Sequence, residues 1–196
     1  MTTNFTLNKK DGQMKNVQKI DEIVMLLNTK ANNRYGLSDV TQKQHAVQCA
    51  LLAEEANETP EMIAAALLHD IGHMLHDLGE DFADKKIDDD HENIGMAYLK
   101  DRVSSKVYQP IALHVQAKRY LCAAEPEYFQ KLSEDSVKSL ELQGGKMNPK
   151  EMEKFQKKLY WKEALRLRKY DDRSKNPKLT TPEPEHFVQY LNQCFR

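Results

Sequence analysis

Apolar residues recur at three- and four-residue spacing along almost the whole chain, while glycine and proline are scarce at seven each. That period belongs to amphipathic helices. The chain is therefore predicted to be all-α, a single helical bundle with no strand pattern and no internal repeat. Residues 17–27 form a first helix with Ile20, Ile23, Val24 and Leu27 on one stripe. Thr41, with Gln44 three positions on, has the pattern of a capping box and opens a helix to about Ala56. Pro60 suits the first position of the next, over residues 61–75. An acidic loop over 79–90 precedes a helix over 91–100. Pro110 is expected to begin the helix that carries His114 and Lys118. Residues 133–145 form a short helix ended by Gly144-Gly145, residues 149–169 a long one, and residues 185–195 a last one after a proline-rich stretch.

A length of 196 residues suits one domain with a real core. Residues 1–16 are polar and read as a flexible tail, and residues 17–196 as the domain. The 29 basic and 30 acidic residues nearly cancel, which argues against a nucleic-acid footprint. The basic run from Lys157 to Lys169 is interleaved with apolar residues and reads as a solvated helix face. Cys49, Cys122 and Cys194 lie far apart, so they build neither a disulfide framework nor a thiolate metal site. No apolar stretch approaches the ~18 residues of a membrane span, and the start has no signal-peptide core. A cytoplasmic location is expected, and the oligomeric state is left open.

The strongest chemical signal is His69-Asp70, at the end of the apolar stretch Ala64-Ala65-Ala66-Leu67-Leu68. An imidazole and a carboxylate buried there must be paired or bound to a cation, since an unsatisfied polar group costs ~2–7 kcal/mol and a charge more. His45 lies mid-helix on the preceding segment, His91 opens a helix, His114 sits between Leu113 and Val115, and Asp171 closes a helix. One such histidine is ordinarily a satisfied core residue. Four on separate helices, with two aspartates, point to a shared metal site of nitrogen and oxygen donors, suited to Fe, Mn, Co or Zn. Six ligands exceed what one open-sided ion needs. Two ions bridged by a carboxylate use them all, and Asp70 is the acid placed centrally.

Three further segments narrow the reading: Tyr35-Gly-Leu-Ser-Asp-Val-Thr-Gln-Lys-Gln-His45, His114-Val-Gln-Ala-Lys-Arg-Tyr-Leu121 and Leu142-Gln-Gly-Gly145. From about Tyr35 to Asp172 the chain resembles the dinuclear branch of the HD superfamily. Within that branch it resembles the mixed-valence di-iron oxygenases of the PhnZ type, relatives of myo-inositol oxygenase. The resemblance implies an Fe(II)/Fe(III) pair held by His45, His69, Asp70, His91, His114 and Asp171, with Asp70 bridging. It also implies O2-dependent cleavage of the C–P bond of a 1-hydroxyphosphonate, giving inorganic phosphate and a carboxylate.

For single residues, the resemblance implies that His73, Lys118, Ser136 and Arg168 bind the phosphonate. Helical spacing agrees for three of them, because Lys118 follows His114, His73 follows His69 and Arg168 precedes Asp171 by one turn. Ser136 by itself reads as a helix-start residue. The resemblance further implies that Tyr35 occupies an iron position until substrate displaces it. Ser38 stands where relatives acting on an amino substrate carry a glutamate, so an ammonium group has no evident partner. That makes 2-amino-1-hydroxyethylphosphonate a poor fit and hydroxymethylphosphonate, which has no amine, attractive; a bulkier substituted amine such as the 2-trimethylammonio compound, held by aromatic residues, stays open beside it. The rival is a dinuclear-metal HD phosphohydrolase acting on a phosphate ester, and a non-catalytic metal-binding module is a third reading. His76, His186 and the Asp88-Asp89-Asp90 run read as exposed or solvated, and Trp161 as core.

Overall fold

Helix α3 (Pro60–Leu68) is the axis around which the other helices gather. Thr59 caps it by accepting the Met62 amide hydrogen, and every residue from Met62 to Leu68 is buried. A helix buried on all sides has no polar face, which explains the unbroken Met-Ile-Ala-Ala-Ala-Leu-Leu sequence. Its three alanines let neighbouring backbones come close. The computed structural model describes residues 3–32, 35, 39–75 and 89–196, with side chains from residue 14 onward.

Helix α1 spans Thr3–Thr29, so the stretch read as a tail is helical from Thr3. Its polar residues give no apolar stripe to read, but Lys, Gln and Met are good helix formers. The buried stripe of α1, Ile20, Ile23 and Leu27, joins the main core. Each such side chain stabilises the fold by ~1.5–3 kcal/mol when fully buried. Helix α2 (Gln42–Glu55) opens with the full capping box between Thr41 and Gln44. Helix α3 stops at Leu68, and a 3-10 turn over Ile71–Met74 replaces the continuous helix expected to Leu75. Helix α4 covers His91–Leu99.

Helix α5 (Ser105–Ala124) begins at the Ser104 cap and takes in Pro110, which therefore does not start it. The ring removes one hydrogen bond in the second turn, and the helix continues. A short α6 (Pro126–Gln130) leads to α7 (Glu134–Leu142), capped by Ser133. Gly144 and Gly145 both have positive φ, 93° and 70°, a region glycine enters without a Cβ penalty. The single helix expected over 149–169 is two, α8 (Pro149–Gln156) and α9 (Trp161–Asp171). Between them Tyr160 takes a left-handed φ of 64°, a break that no glycine or proline announces. A 3-10 turn (Pro184–Phe187) and α10 (Val188–Cys194) close the chain.

Helices α2, α5 and α9 pack against α3, α4 packs against α5 and the 3-10 turn that follows α3, and α5 lies along α9. A second small core of Leu113, Ala117, Met147, Phe155 and Ala164 fixes α8 beneath α5 and α9. Among the described residues there is no strand, only an isolated bridge between Val103 and Phe195, and no helix is long and apolar enough to cross a membrane. The fold is all-α, as expected.

Candidate metal centre

Each of the four histidines comes from a different element, and each has one ring nitrogen already committed. Nδ1 of His45 meets the Ser174 carbonyl at 2.9 Å, and that of His69 the Ala66 carbonyl at 2.9 Å. Nδ1 of His114 meets the Ile111 carbonyl at 2.7 Å, and that of His91 the Asp89 carboxylate at 2.8 Å. Carbonyls and carboxylates only accept, so the hydrogen of a neutral ring sits on Nδ1. Nε2 is left with its lone pair.

Those lone pairs converge. Nε2 of His45 and His69 lie 3.1 Å apart, as do those of His91 and His114. Asp70 stands between the two pairs. Its Oδ2 is 3.3 Å from His69 Nε2 and 3.5 Å from His45 Nε2. Its Oδ1 is 3.6 Å from Nε2 of both His91 and His114. Asp171 completes the first group, with Oδ1 3.3 Å from His45 Nε2. Two clusters result, His45–His69–Asp171 and Asp70–His91–His114, all buried, each able to hold a metal ion.

The donor set fits a cation. Asp70 Oδ2 and Asp171 Oδ1 are buried without a hydrogen-bond partner, and facing imidazole lone pairs repel unless something positive lies between them. Backbone and carboxylate partners that fix ligand orientation are usual around metal-bound histidine. The donors are nitrogen and oxygen alone, a set that favours borderline and hard metals over thiolate-seeking ones. Burial pushes the Asp70 carboxyl up, but the imidazoles of His69, His73 and His91 outweigh it and leave it well below the usual carboxylate range. Burial acts likewise on Asp171, and Arg168 with His45 and His69 draws it well below.

Asp89 was expected in a solvated run, and the structure corrects this. It is 5% exposed, and its carboxylate spans two rings, with Oδ1 on His91 and Oδ2 2.6 Å from His73 Nδ1. His73 stacks on His91 with centroids 4.0 Å apart, and its Nε2 lies 4.0 Å from Asp70 Oδ1. Tyr35 stacks on His45 at 3.8 Å. Burial, then the charges of Asp70 and Asp171, push its phenol up. Ser38 lies outside the described residues.

Beside the first cluster, Lys118 is 2% exposed and donates to Ser139 Oγ at 2.8 Å. Burial and the Arg168 charge push its amine down to about 7. Arg168 pairs with Asp171 Oδ2 at 2.6 Å and with Asp172, and it donates to Tyr128 at 3.1 Å and Ser136 at 3.2 Å. The family-like segments explain each other here. Arg119, next to Lys118, donates to the carbonyls of Gly145 at 2.8 Å and Gly144 at 3.2 Å, which anchors the end of α7 to α5. Ser136 and Ser139 of α7 are thereby held against Lys118 and Arg168. Ser139, Ser133, Lys175 and Asp89 were missed in the sequence. Ser133, Ser139 and Asp89 do not sit one turn from a recognised ligand, and Lys175, four residues after Asp171, lies beyond the helix that Asp171 ends.

The bundle and its centre define the class. The HD domain family model matches residues 43–125. The chain is 40% identical over 163 residues to hydroxymethylphosphonate dioxygenase of Gimesia maris, covering 79% of this chain and 78% of that one. It is 36% identical over 168 residues to 1-hydroxy-2-(trimethylamino)ethylphosphonate dioxygenase (glycine-betaine-forming) of Leisingera caerulea, covering 86% of each. An uncharacterized protein of Acanthamoeba polyphaga mimivirus is 35% identical over 161 residues, 81% of this chain and 74% of that one. The chain belongs to the HD-domain family that includes these phosphonate dioxygenases.

Proposed function

We propose that this protein is a mixed-valence di-iron oxygenase that uses O2 to cleave the C–P bond of a 1-hydroxyphosphonate, with hydroxymethylphosphonate as the first substrate. The observation that carries the reading is the pair of facing histidine couples with one oxygen of Asp70 turned to each. The names of two relatives supply the chemistry. With hydroxymethylphosphonate the balance is one substrate dianion and one O2 giving formate, hydrogen phosphate and a proton.

His45, His69 and Asp171 would hold one iron and His91 and His114 the other, with a carboxylate oxygen of Asp70 available to each. Bound iron would supply an open coordination position for the substrate's oxygens and electrons for O2. The protein's own residues orient and neutralise. Asp89 fixes the ring planes of His91 and His73. Lys118 and Ser136 face the phosphonate, and His73 lies on the side of the second cluster. Tyr35 covers His45 and is displaced as substrate enters. Charge stabilisation from groups held rigidly in a water-poor site is the principal aid such a centre gives.

The test is anaerobic loading with iron, followed by hydroxymethylphosphonate and then oxygen. Phosphate release that requires both iron and oxygen is expected, with none from an Asp70→Ala variant. Release from phosphate esters under nitrogen would instead identify a hydrolase.

A further inference from the structure

Gln48 follows His45 by one turn on α2, on the same face, and it is 1% exposed. An amide buried in a helix beside Val47, Cys49 and Ala50 must find polar partners. Gln48 finds both on one residue. Its Nε2 donates to the Asn176 carbonyl at 2.8 Å, and its Oε1 accepts the Asn176 N–H at 2.9 Å. Asn176 itself is exposed, so water could serve that backbone. Satisfying Asn176 is therefore not what calls for a glutamine at this place.

Two residues earlier on the same segment, the Ser174 carbonyl receives the His45 Nδ1 hydrogen at 2.9 Å. Ser174 is fully buried. Its N–H donates to the Asp171 carbonyl at 3.1 Å, and its hydroxyl meets the carbonyls of Tyr170 and Asp171. One short segment thus leaves α9 at Asp171, passes behind His45 and is gripped by Gln48. A single hydrogen bond to Nδ1 selects the tautomer of His45, but it leaves ring and carbonyl free to swing together. The two Gln48 bonds fix the segment against α2 and remove that freedom.

We infer that Gln48 is a positioning residue for the first metal position: by clamping Asn176 it holds the Ser174 carbonyl on His45, and so keeps His45 Nε2 aimed at the point it shares with His69 and Asp171. The inference rests on the metal-centre reading of that cluster and not on the identity of the substrate. The clamp needs a donor and an acceptor side by side, which no hydrocarbon of the same size supplies. The rest of the segment is secured without Gln48. Lys175 donates to Ser133 Oγ at 3.2 Å, Lys43 pairs with Glu183 at 3.1 Å, and His186 and Tyr190 meet Glu54 at 2.9 Å and 2.6 Å. Loss of the clamp disturbs the aim of His45 rather than folding.

The experiment compares the wild type with Gln48→Leu and with Gln48→Met, whose unbranched chain keeps the shape of glutamine should leucine disturb packing. Ring-nitrogen NMR of the metal-free protein, with His45 assigned as the signal lost in His45→Asn, is expected to show the Nδ1–H form in the wild type and a mixture of tautomers in the variants, with His91 and His114 unmoved. Anaerobic titration with Co(II) is expected to find two sites in the wild type. In the variants the site that His45→Asn abolishes weakens ~10-fold, the lower end of the cost of losing a partner behind a ligand, and the other keeps its affinity. The metal-free melting temperature stays close to that of the wild type. A His45 signal and both affinities like those of the wild type in the two variants overturn the assignment. So does equal weakening of both sites together with a lowered melting temperature, which marks Gln48 as packing alone, and so does a wild type that binds no Co(II). The expected pattern in a protein that releases no phosphate from hydroxymethylphosphonate under oxygen removes the oxygenase reading and leaves the positioning role standing.

Discussion

Gly72 lies against the backbone of His91 so closely that a Cβ on it would fall 2.0 Å from the His91 carbonyl oxygen. The turn after His69-Asp70 and the first residue of α4 are therefore pressed together, and this contact sets the distance between the two histidine couples. Gly95 answers from α4, its Cβ position 3.3 Å from Ile71 Cγ2. Backbone cannot yield as a flexible side chain would. Gly72→Ala is expected to lose ~1–3 kcal/mol of stability, the usual cost of overpacking, and to bind less metal. Denaturant titration and metal analysis of the purified variant check both, and wild-type values for both would contradict the role given to this contact.

Asp89 is expected to matter to metal binding without touching the metal. It orients His91 through one oxygen and His73 through the other. An asparagine offers one acceptor and one donor, so it cannot accept from both rings. Asp89→Asn should weaken metal binding ~10–100-fold, the usual cost of losing a partner behind a ligand. Competition with a chelator reads this directly, and an unchanged midpoint would place His91 under other control.

Asp89 also shows where the sequence stops being legible. In a run of three aspartates every member looks solvated, and nothing local tells which one turns inward. The six proposed ligands were legible because histidines on apolar faces are costly unless something satisfies them. Lys175 was not, since it follows a helix end in a polar, proline-rich stretch with no period. The break at Tyr160 was hidden because its positive φ falls on a residue that rarely takes one. The capping box at Thr41 and the termination at Gly144-Gly145 were readable because their residue types carry the geometry.

Arg168 offers a test of positioning against direct grip. Its guanidinium serves Asp171, Asp172, Tyr128 and Ser136 together, a fan that a lysine ammonium cannot reproduce. Arg168→Lys is expected to lose metal from the His45–His69–Asp171 cluster, roughly halving iron per chain, because Asp171 loses its orienting partner. Full iron content with weakened phosphonate binding alone would return Arg168 to a substrate-binding role.

The lowered amine of Lys118 gives a pH dependence. Burial and Arg168 hold it at about 7 in the free protein, so it is charged below that pH and neutral above. Lys175 and the carboxylates of Asp171 and Asp172 also face it. Sulfate stays dianionic across the range and isolates the protein's titration. Its affinity is expected to fall as pH rises through about 7, and the Lys118→Met variant should bind it more weakly and with a flatter profile. A wild-type profile that stays level from pH 6 to 9, or an equally steep one in Lys118→Met, would contradict this.

Occupation of the centre should also stabilise the fold. A ligand that binds only the native state adds ~2.7 kcal/mol at a hundredfold excess over its Kd. Anaerobic Fe(II) is expected to raise Tm in the wild type and much less in His45→Ala or Asp70→Ala.

The most direct test of the oxygenase account is simultaneous measurement of O2 uptake and phosphate release from hydroxymethylphosphonate by the iron-loaded protein. The expected result is one O2 consumed for each phosphate and each formate formed, with no phosphate under nitrogen. Phosphate formed without O2 uptake, or no C–P cleavage in protein shown to hold two irons per chain, would contradict it.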